Sequence, residues 1–284
     1  MKKILCLILV LGLASCSWAD DVGFLARLKT TPEEFFMLMK NSWATKGWVI
    51  LGGDHSASKA RFYDSLPQMQ MGMGRGEIDE MILPDFVAEY MLKVNPGYAP
   101  SCISSSGKMS LCFGFLKSSK PLADKWNYAL SYLRNNWTLA GLEQKYIKEF
   151  PGPDGTYDYI YGTDTPKKRR DDRIKFERFS DAPTIRVAVT GDLPPADFID
   201  EEGFPAGYSV AVLSEIGRFL KVNIQPVIVS AGARTAALVS ERADVVFWYE
   251  VNRQSSFQPD IPDEVILSEP YLDWDKFIHL SRNE

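Results

Sequence analysis

Three short stretches in the back half of the chain hold residue types that can grip a small polar molecule. Asp192 and Asp197 bracket Leu193-Pro194-Pro195-Ala196, with Phe198 directly after. Such carboxylates can hold an ammonium group, and an aromatic face can cover a cation. Arg234 opens an apolar-periodic segment, where a guanidinium fork and a helix N-terminus both favour an anion. Trp248-Tyr249-Glu250, and then Arg253, follow the apolar run from Ala243 to Phe247. Runs of that kind read as strands, and ligands of open α/β sheets sit outside the carboxyl ends of strands. In the front half, Asp54 and Ser56 lie in Gly52-Gly53-Asp54-His55-Ser56 after another such run, and Asp85 follows Pro84 at the head of a helix. Each has a competing structural role. Asp192 would cap a turn beside Pro194, Phe198 and Trp248 would fill the core, Glu250 would be solvated, and Asp85 would cap its helix.

Other chemistries find less support. Two histidines, His55 and His279, do not suit a histidine-based zinc site, and no metal or cofactor is expected. Met69, Met71 and Met73 contain thioethers fit for copper(I), but alternate residues of a helix do not share a face, so they read as core. Gly72, Gly74 and Gly76 lack the strand-then-helix setting of a dinucleotide loop. No Gly-x-Ser-x-Gly elbow or phosphate loop is present. A formal net charge of −5 argues against nucleic acid as a partner. The run Lys167-Lys168-Arg169-Arg170-Asp171-Asp172 reads as solvated.

The elements that must position these residues form two α/β halves, 25–149 and 184–284, joined by a linker over 150–183 rich in turn formers such as Pro151, Gly152, Pro153 and Gly155. In the first half, Thr31-Pro32-Glu33-Glu34 opens a helix, and Trp48 to Leu51 and Arg61 to Tyr63 read as short strands. A helix through Leu66, Met69 and Met73 follows, then a buried strand over Ile78 to Leu83 and a helix from Pro84 to Asn95-Pro96-Gly97. Met109 to Leu116 reads as a strand. Leu122, Trp126, Leu130 and Leu133 follow helical spacing, and Thr138 caps a further helix to Ile147. In the second half, strands at 184–189, 222–229 and 243–248 alternate with helices at 207–220 and 233–241, which implies a mostly parallel sheet.

The first 15 residues read as an export signal. Lys2 and Lys3 precede the apolar run Ile4 to Leu13, too short for a bilayer span of about 20 residues. Leu13-Ala14-Ser15-Cys16 resembles a bacterial lipobox, which would leave Cys16 lipidated and the protein tethered to a membrane in the periplasm or at the cell surface. Cleavage after Ala19 is the alternative. Export would permit a disulfide between Cys102 and Cys112, which flank Ser104-Ser105-Ser106-Gly107, read as a hairpin turn; two buried thiols are the alternative.

Residues 184–284 resemble the opening lobe of the type 2 periplasmic solute-binding proteins, the amino-acid-binding family of ABC importers. The resemblance rests on Ile185-Arg186-Val187-Ala188-Val189, Asp192-Leu193-Pro194-Pro195, Phe198, Asp200, Gly203, Gly207-Tyr208, Ala236, Leu238, Ala243-Asp244-Val245-Val246 and Ser268-Glu269-Pro270-Tyr271. Residues 46–148 resemble the family's closing part through Gly76-Glu77-Ile78-Asp79, the Phe86 to Pro96 helix, Met109 to Lys117, Leu122, Asn127, Leu130, Thr138-Leu139, Lys145 and Tyr146, with Trp137 where the family usually has glycine. The resemblance implies a two-lobe fold with its lobes in circularly permuted order. It also implies a small polar ligand, an amino acid or a relative, held between the lobes and passed to a membrane permease without catalysis. The family's carboxylate-binding arginine would fall near Arg253, although its Thr-x-Thr turn is missing, and Arg234 is the alternative. The family's ammonium-binding aspartate falls on Pro84, beside Asp85. Two other functions remain: a dehydratase-like enzyme using Asp192, Asp197 and Glu250 as acid and base, and a sensory or structural lipoprotein with a degenerate cleft.

Overall fold

Short β-branched runs alternating with amphipathic helices favour parallel strands with helical crossovers, because each apolar face then finds a partner. The computed structural model describes residues 50–51, 60–61, 66–150, 173–200, 202–252 and 261–283. The chain divides into two compact units that interleave in sequence: residues 1–109, 252–260 and 274–284 form the first, residues 110–251 and 261–273 the second. Strand β4 (Tyr98–Leu116) passes from the first to the second at Met109, and strand β12 (Leu272–Arg282) passes back at Trp274.

In the second unit, β5 (Thr184–Val189) lies between β9 (Asn223–Ile228) and β10 (Val245–Asn252), parallel to both. Helix α5 (Tyr208–Leu220) joins β5 to β9, and α6 (Arg234–Val239) joins β9 to β10. Pro226 of β9 stands opposite Val187, and its missing N–H is tolerated because β9 is last in the strand order. Beyond β10 comes β4, which also pairs antiparallel with β11 (Val265–Leu267). Val187, Ala188, Val189, Val245, Val246 and Phe247 are buried, as are Val210, Leu213 and Ile216 of α5. Each such side chain contributes about 1.5–3 kcal/mol on leaving water.

Helix α3 (Lys120–Asn135) buries Ala123, Trp126, Ala129, Leu130 and Leu133, the face that its apolar spacing predicts. The Trp126 ring meets Phe113 and Phe115 edge-on at centroid distances of 5.8 and 5.7 Å. Helix α4 (Thr138–Glu143) follows and widens into a π turn over Gln144–Lys148. Between α3 and α4, Trp137 takes the left-handed conformation, φ 66°. That explains a glycine preference at this position, since a Cβ is disfavoured there. Residues 173–183, from the expected linker, lie along this unit. Asn223 accepts from the Phe179 N–H at 2.9 Å and donates to the Phe179 carbonyl at 3.1 Å, and Ser214 donates to the Lys175 carbonyl at 3.0 Å.

In the first unit, β1 (Ile50–Leu51) pairs antiparallel with β2 (Ala60–Arg61). Helix α1 (Leu66–Gly74) precedes β3 (Glu80–Pro84) and α2 (Asp85–Val94). Strand β12 lies between β3 and β4, antiparallel to β3 with Ile278 opposite Leu83. Met69 and Met73 are buried with Leu66, Met81, Leu83 and Met91, as expected for core, whereas Met71 is exposed, because it lies on the other face of the helix.

One local expectation fails. Ser104 to Gly107 form no hairpin turn: β4 is a single strand of 19 residues from Tyr98 to Leu116. Its flank is held by β12, from the Asn283 N–H to the Gly97 carbonyl (2.9 Å) to the Tyr271 N–H on the Leu111 carbonyl (2.9 Å). Cys102 and Cys112 are therefore not bridged, and Cys112 is a buried thiol. Ten residues of one strand separate them by roughly 33 Å, whereas a disulfide needs Cα atoms within about 7 Å. The helix opened by Thr31, the lipobox with Cys16, and Asp54, Ser56 and Arg253 lie outside the described residues.

Candidate functional site

The polar cluster of the second unit is built where β5 ends. After Val189 the chain turns at Thr190 and Gly191 into a three-stranded antiparallel sheet of β6 (Asp192–Leu193), β7 (Asp197–Ile199) and β8 (Pro205–Ala206). Gly191 has φ +70°, and a Cβ there would lie 2.3 Å from the Ile199 side chain, so the turn requires glycine. The β6–β7 connection also caps α5. The Pro195 and Ala196 carbonyls accept from the Tyr208 and Ser209 N–H groups at 3.2 and 2.9 Å.

Asp197 is fully buried at 0 % exposure. Its Oδ2 accepts from the Thr190 N–H (3.2 Å), the Thr190 hydroxyl (2.8 Å) and the Gly191 N–H (2.9 Å). Its Oδ1 is buried with no partner among the described residues. Burial, and then the negative charge of Asp192, push the Asp197 carboxyl up to about 7, against the pull of the Thr190 and Gly191 donors. Asp192, 9 % exposed, also has a buried Oδ1 with no partner among the described residues. Burial raises its carboxyl, and Arg234 opposes that rise.

Arg234, 8 % exposed, is already engaged. Its Nη1 donates to the Trp248 carbonyl at 2.9 Å, and its guanidinium carbon sits 3.8 Å from the centre of the Trp248 ring. The Trp248 indole N–H in turn donates to the Thr190 hydroxyl oxygen at 3.2 Å. A relay of donors therefore runs from Trp248 through Thr190 to Asp197. A cation on an aromatic face beside two buried carboxylates is a strongly polarised setting with little water to screen it.

The structure thus brings Asp192, Asp197, Arg234 and Trp248 together. Thr190 joins them without having been singled out in the sequence. Its only signal there was its place between a strand end and a glycine. The other candidates are placed differently. Phe198 is core, its ring 5.7 Å from that of Phe150. Tyr249 packs into the apolar cluster of Ala188, Leu238, Val246 and Val265, with its hydroxyl 2.8 Å from the Thr235 hydroxyl, and its ring also meets Arg234, whose guanidinium carbon is 5.8 Å from the ring centre. Glu250 is half-buried near the end of β10. Asp85 belongs to the first unit, where it is the first residue of its helix and accepts from the Phe86 N–H at 2.7 Å; Pro84, not Asp85, stands at the N-cap. Burial pushes its carboxyl up to about 6.

Several motif residues turn out to be structural. Asp200 closes a turn by accepting from the Glu202 and Phe204 N–H groups at 3.0 and 2.9 Å, with Gly203 at φ 83°. In Ser268-Glu269-Pro270-Tyr271, the Ser268 hydroxyl accepts from the Phe113 N–H at 2.9 Å and donates to the Glu269 carbonyl at 2.7 Å. The Tyr271 ring stacks on Phe113 at 4.4 Å, and its hydroxyl donates to the Phe247 carbonyl at 3.0 Å. Asp244 grips Arg186 through two side-chain bonds, of 3.0 and 2.7 Å, tying β5 to the start of β10.

Residues 185–274 match the family model of the bacterial extracellular solute-binding proteins, family 3, and this stretch, about a third of the chain, carries Asp192, Asp197, Arg234 and Trp248. No curated protein matches the chain. Among solved structures, the chain is similar to the PBP AgaA in complex with agropinic acid from A. tumefacien R10, at 9 % identity and TM-score 0.42, over 80 % of this chain and 55 % of that one. It is also similar to NikZ from Campylobacter jejuni in complex with Ni(L-His), at 10 % identity and TM-score 0.41, over 80 % and 57 %. A third is the periplasmic oligopeptide-binding protein OppAIV from Borrelia burgdorferi, at 13 % identity and TM-score 0.35, over 68 % and 39 %. The matches span about half the length of the first two of these proteins and less of the third.

Proposed function

We propose that the chain is an exported solute-binding protein that captures a small polar solute at the Asp192–Trp248 cluster and delivers it to a membrane permease of an ABC-type importer. The observation that carries this reading is the coincidence of two independent findings. The match to the extracellular solute-binding proteins covers residues 185–274, and within those residues lie two buried carboxylates whose Oδ1 atoms have no partner among the described residues. Buried polar atoms are normally satisfied, and an unsatisfied pair is suited to a ligand that supplies the missing bonds. The solute class includes amino acids and their relatives. The reading involves no catalytic step, and the lobes would follow one another in circularly permuted order.

Export and anchoring rest on the N-terminal sequence. Lys2-Lys3, the apolar run Ile4 to Leu13 and Leu13-Ala14-Ser15-Cys16 support lipidation of Cys16 in the periplasm or at the cell surface. Palmitate labelling of the expressed protein, lost in Cys16→Ser, tests this. Labelling that survives Cys16→Ser contradicts it.

The experiment for solute capture is a thermal-shift panel of amino acids, amines, small carboxylates and neutral sugars. A solute at a hundred times its dissociation constant adds about 2.7 kcal/mol of stability. A panel with no stabilising member contradicts the reading. One observation favours an enzyme on the same scaffold: the Asp197 carboxyl is pushed up to about 7, suited to proton transfer near neutrality. Turnover of a stabilising solute, followed by mass spectrometry, separates that reading from binding alone.

A further inference from the structure

The turn after β5 is closed on Asp197 by backbone alone, because the Thr190 and Gly191 N–H groups both donate to its Oδ2, at 3.2 and 2.9 Å. The Thr190 hydroxyl is not needed for that turn, and its bonds lead elsewhere. Its oxygen accepts from the Trp248 indole N–H at 3.2 Å, and its hydrogen goes to Asp197 Oδ2 at 2.8 Å. Proton counting fixes both directions, since an indole N–H only donates and a hydroxyl has one hydrogen to give. The same hydroxyl favours the ionised form of Asp192, so it faces both carboxylates.

Trp248 carries the other half of the cluster. The Arg234 guanidinium carbon lies 3.8 Å from the centre of its ring, and Arg234 Nη1 donates to its carbonyl at 2.9 Å. A guanidinium stacked on an indole loses its seat if the ring turns. The torsion that turns a tryptophan ring has broad wells, so a bond to the indole N–H is what selects one orientation. The acceptor of that bond is itself stiff, because threonine is branched at Cβ.

We propose that Thr190 is a positioning residue for solute capture: its hydroxyl holds the Trp248 indole, and through the indole the Arg234 guanidinium, in the orientation that the solute meets. The inference rests on the solute-capture reading. Thr190→Val tests it with little change of shape, since the two backbone bonds to Asp197 remain and only those of the hydroxyl are lost. Thr190→Ser restores the hydroxyl without the methyl group.

The ligand-free readout is the Trp248 indole resonance in nitrogen-15-labelled protein, assigned by its absence from Trp248→Phe. Its N–H should exchange with water slowly in the wild type, with the 77 % exposed Trp137 as the fast reference. In Thr190→Val the resonance should move and exchange faster, and Thr190→Ser should bring it back toward the wild-type position. The second readout is calorimetric titration with L-alanine, L-glutamate, L-lysine, putrescine, succinate and glucose. A probe that binds the wild type should bind Thr190→Val about tenfold more weakly or worse, the equivalent of one buried hydrogen bond. Thr190→Ser should recover most of that loss, which a general loosening of the turn would not allow.

A wild-type Trp248 N–H that exchanges as fast as that of Trp137 would overturn the proposal, whether or not the variants fold. So would a resonance that stays in place in Thr190→Val. A probe bound equally by the wild type and Thr190→Val removes the role of Thr190 and leaves solute capture standing. If none of the probes binds the wild type, it is capture of these solutes that fails, and the positioning role falls with it.

Discussion

Asp197→Asn should make the protein more resistant to unfolding as the pH rises. The folded-state value is about 7 against an ordinary 3.8. Between those two values the folded chain holds a proton that the unfolded chain has released. The contribution of this group is therefore complete below about pH 4 and is lost as the pH rises through 7. Three units at about 1.4 kcal/mol each amount to about 4 kcal/mol, an upper figure for a site that can relax or admit water on ionising. Asparagine removes the titration while imitating the protonated acid. Its Oδ1 takes the three donors from Thr190 and Gly191, and its amide nitrogen occupies the position of the unpartnered Oδ1. Urea unfolding of both proteins, followed by circular dichroism at pH 5, 6, 7 and 8, reads out the difference. The stability gap in favour of the variant should widen by about 1.4 kcal/mol per pH unit up to neutrality and then hold level. Taking the difference between the two proteins cancels acids that do not act on Asp197, such as Asp85, whose raised carboxyl pulls in the same direction. A gap that stays constant from pH 5 to 8 would refute the account of Asp197 as a buried acid.

Three further outcomes follow from the local geometry. Gly207→Ala places a Cβ 2.6 Å from the Pro195 and Ala196 carbonyl oxygens at φ +103°, so it should cost at least about 2 kcal/mol by urea unfolding. Little or no loss would mean that the cap of α5 is free to move. Trp137→Gly relieves a left-handed residue that is 77 % exposed, and should raise stability by about 0.5–1 kcal/mol after the entropy cost of glycine. A destabilised variant would contradict the strain argument. Non-reducing peptide mapping of the unfolded, alkylated protein should recover no peptide that links Cys102 to Cys112. Recovery of that peptide would contradict the single-strand path of β4.

The second unit was largely legible because its signals are local. Ile185 to Val189, Gly207 to Leu220 and Ala243 to Trp248 each carry their own periodicity, and the strands and helices fall there within a residue or two, with β10 running on to Asn252. The first unit was harder to read because β12, at the far end of the chain, forms part of it. Ser104 to Gly107 have the composition of a turn, but the long strand formed with β12 alongside overrides that local preference. The same limit applies at the site. Asp192, Asp197, Arg234 and Trp248 were visible as candidates by type and position. That Asp197 is wholly buried, that Thr190 links it to Trp248, and that Arg234 is spent on a ring and a carbonyl depend on packing between segments far apart in sequence. Phe198 carried the same aromatic signal as Trp248, and only the contacts around each ring separate core from site.

The most direct measurement is a calorimetric titration of the most stabilising solute from the panel into the wild type, Asp192→Asn and Trp248→Ala. Binding that weakens at least tenfold in both variants is the predicted result, because the proposal has the solute held by the Asp192 carboxylate and against the indole that supports Thr190 and Arg234. Equal affinity in all three proteins would contradict the account, because the solute would then be held at some other place on the chain.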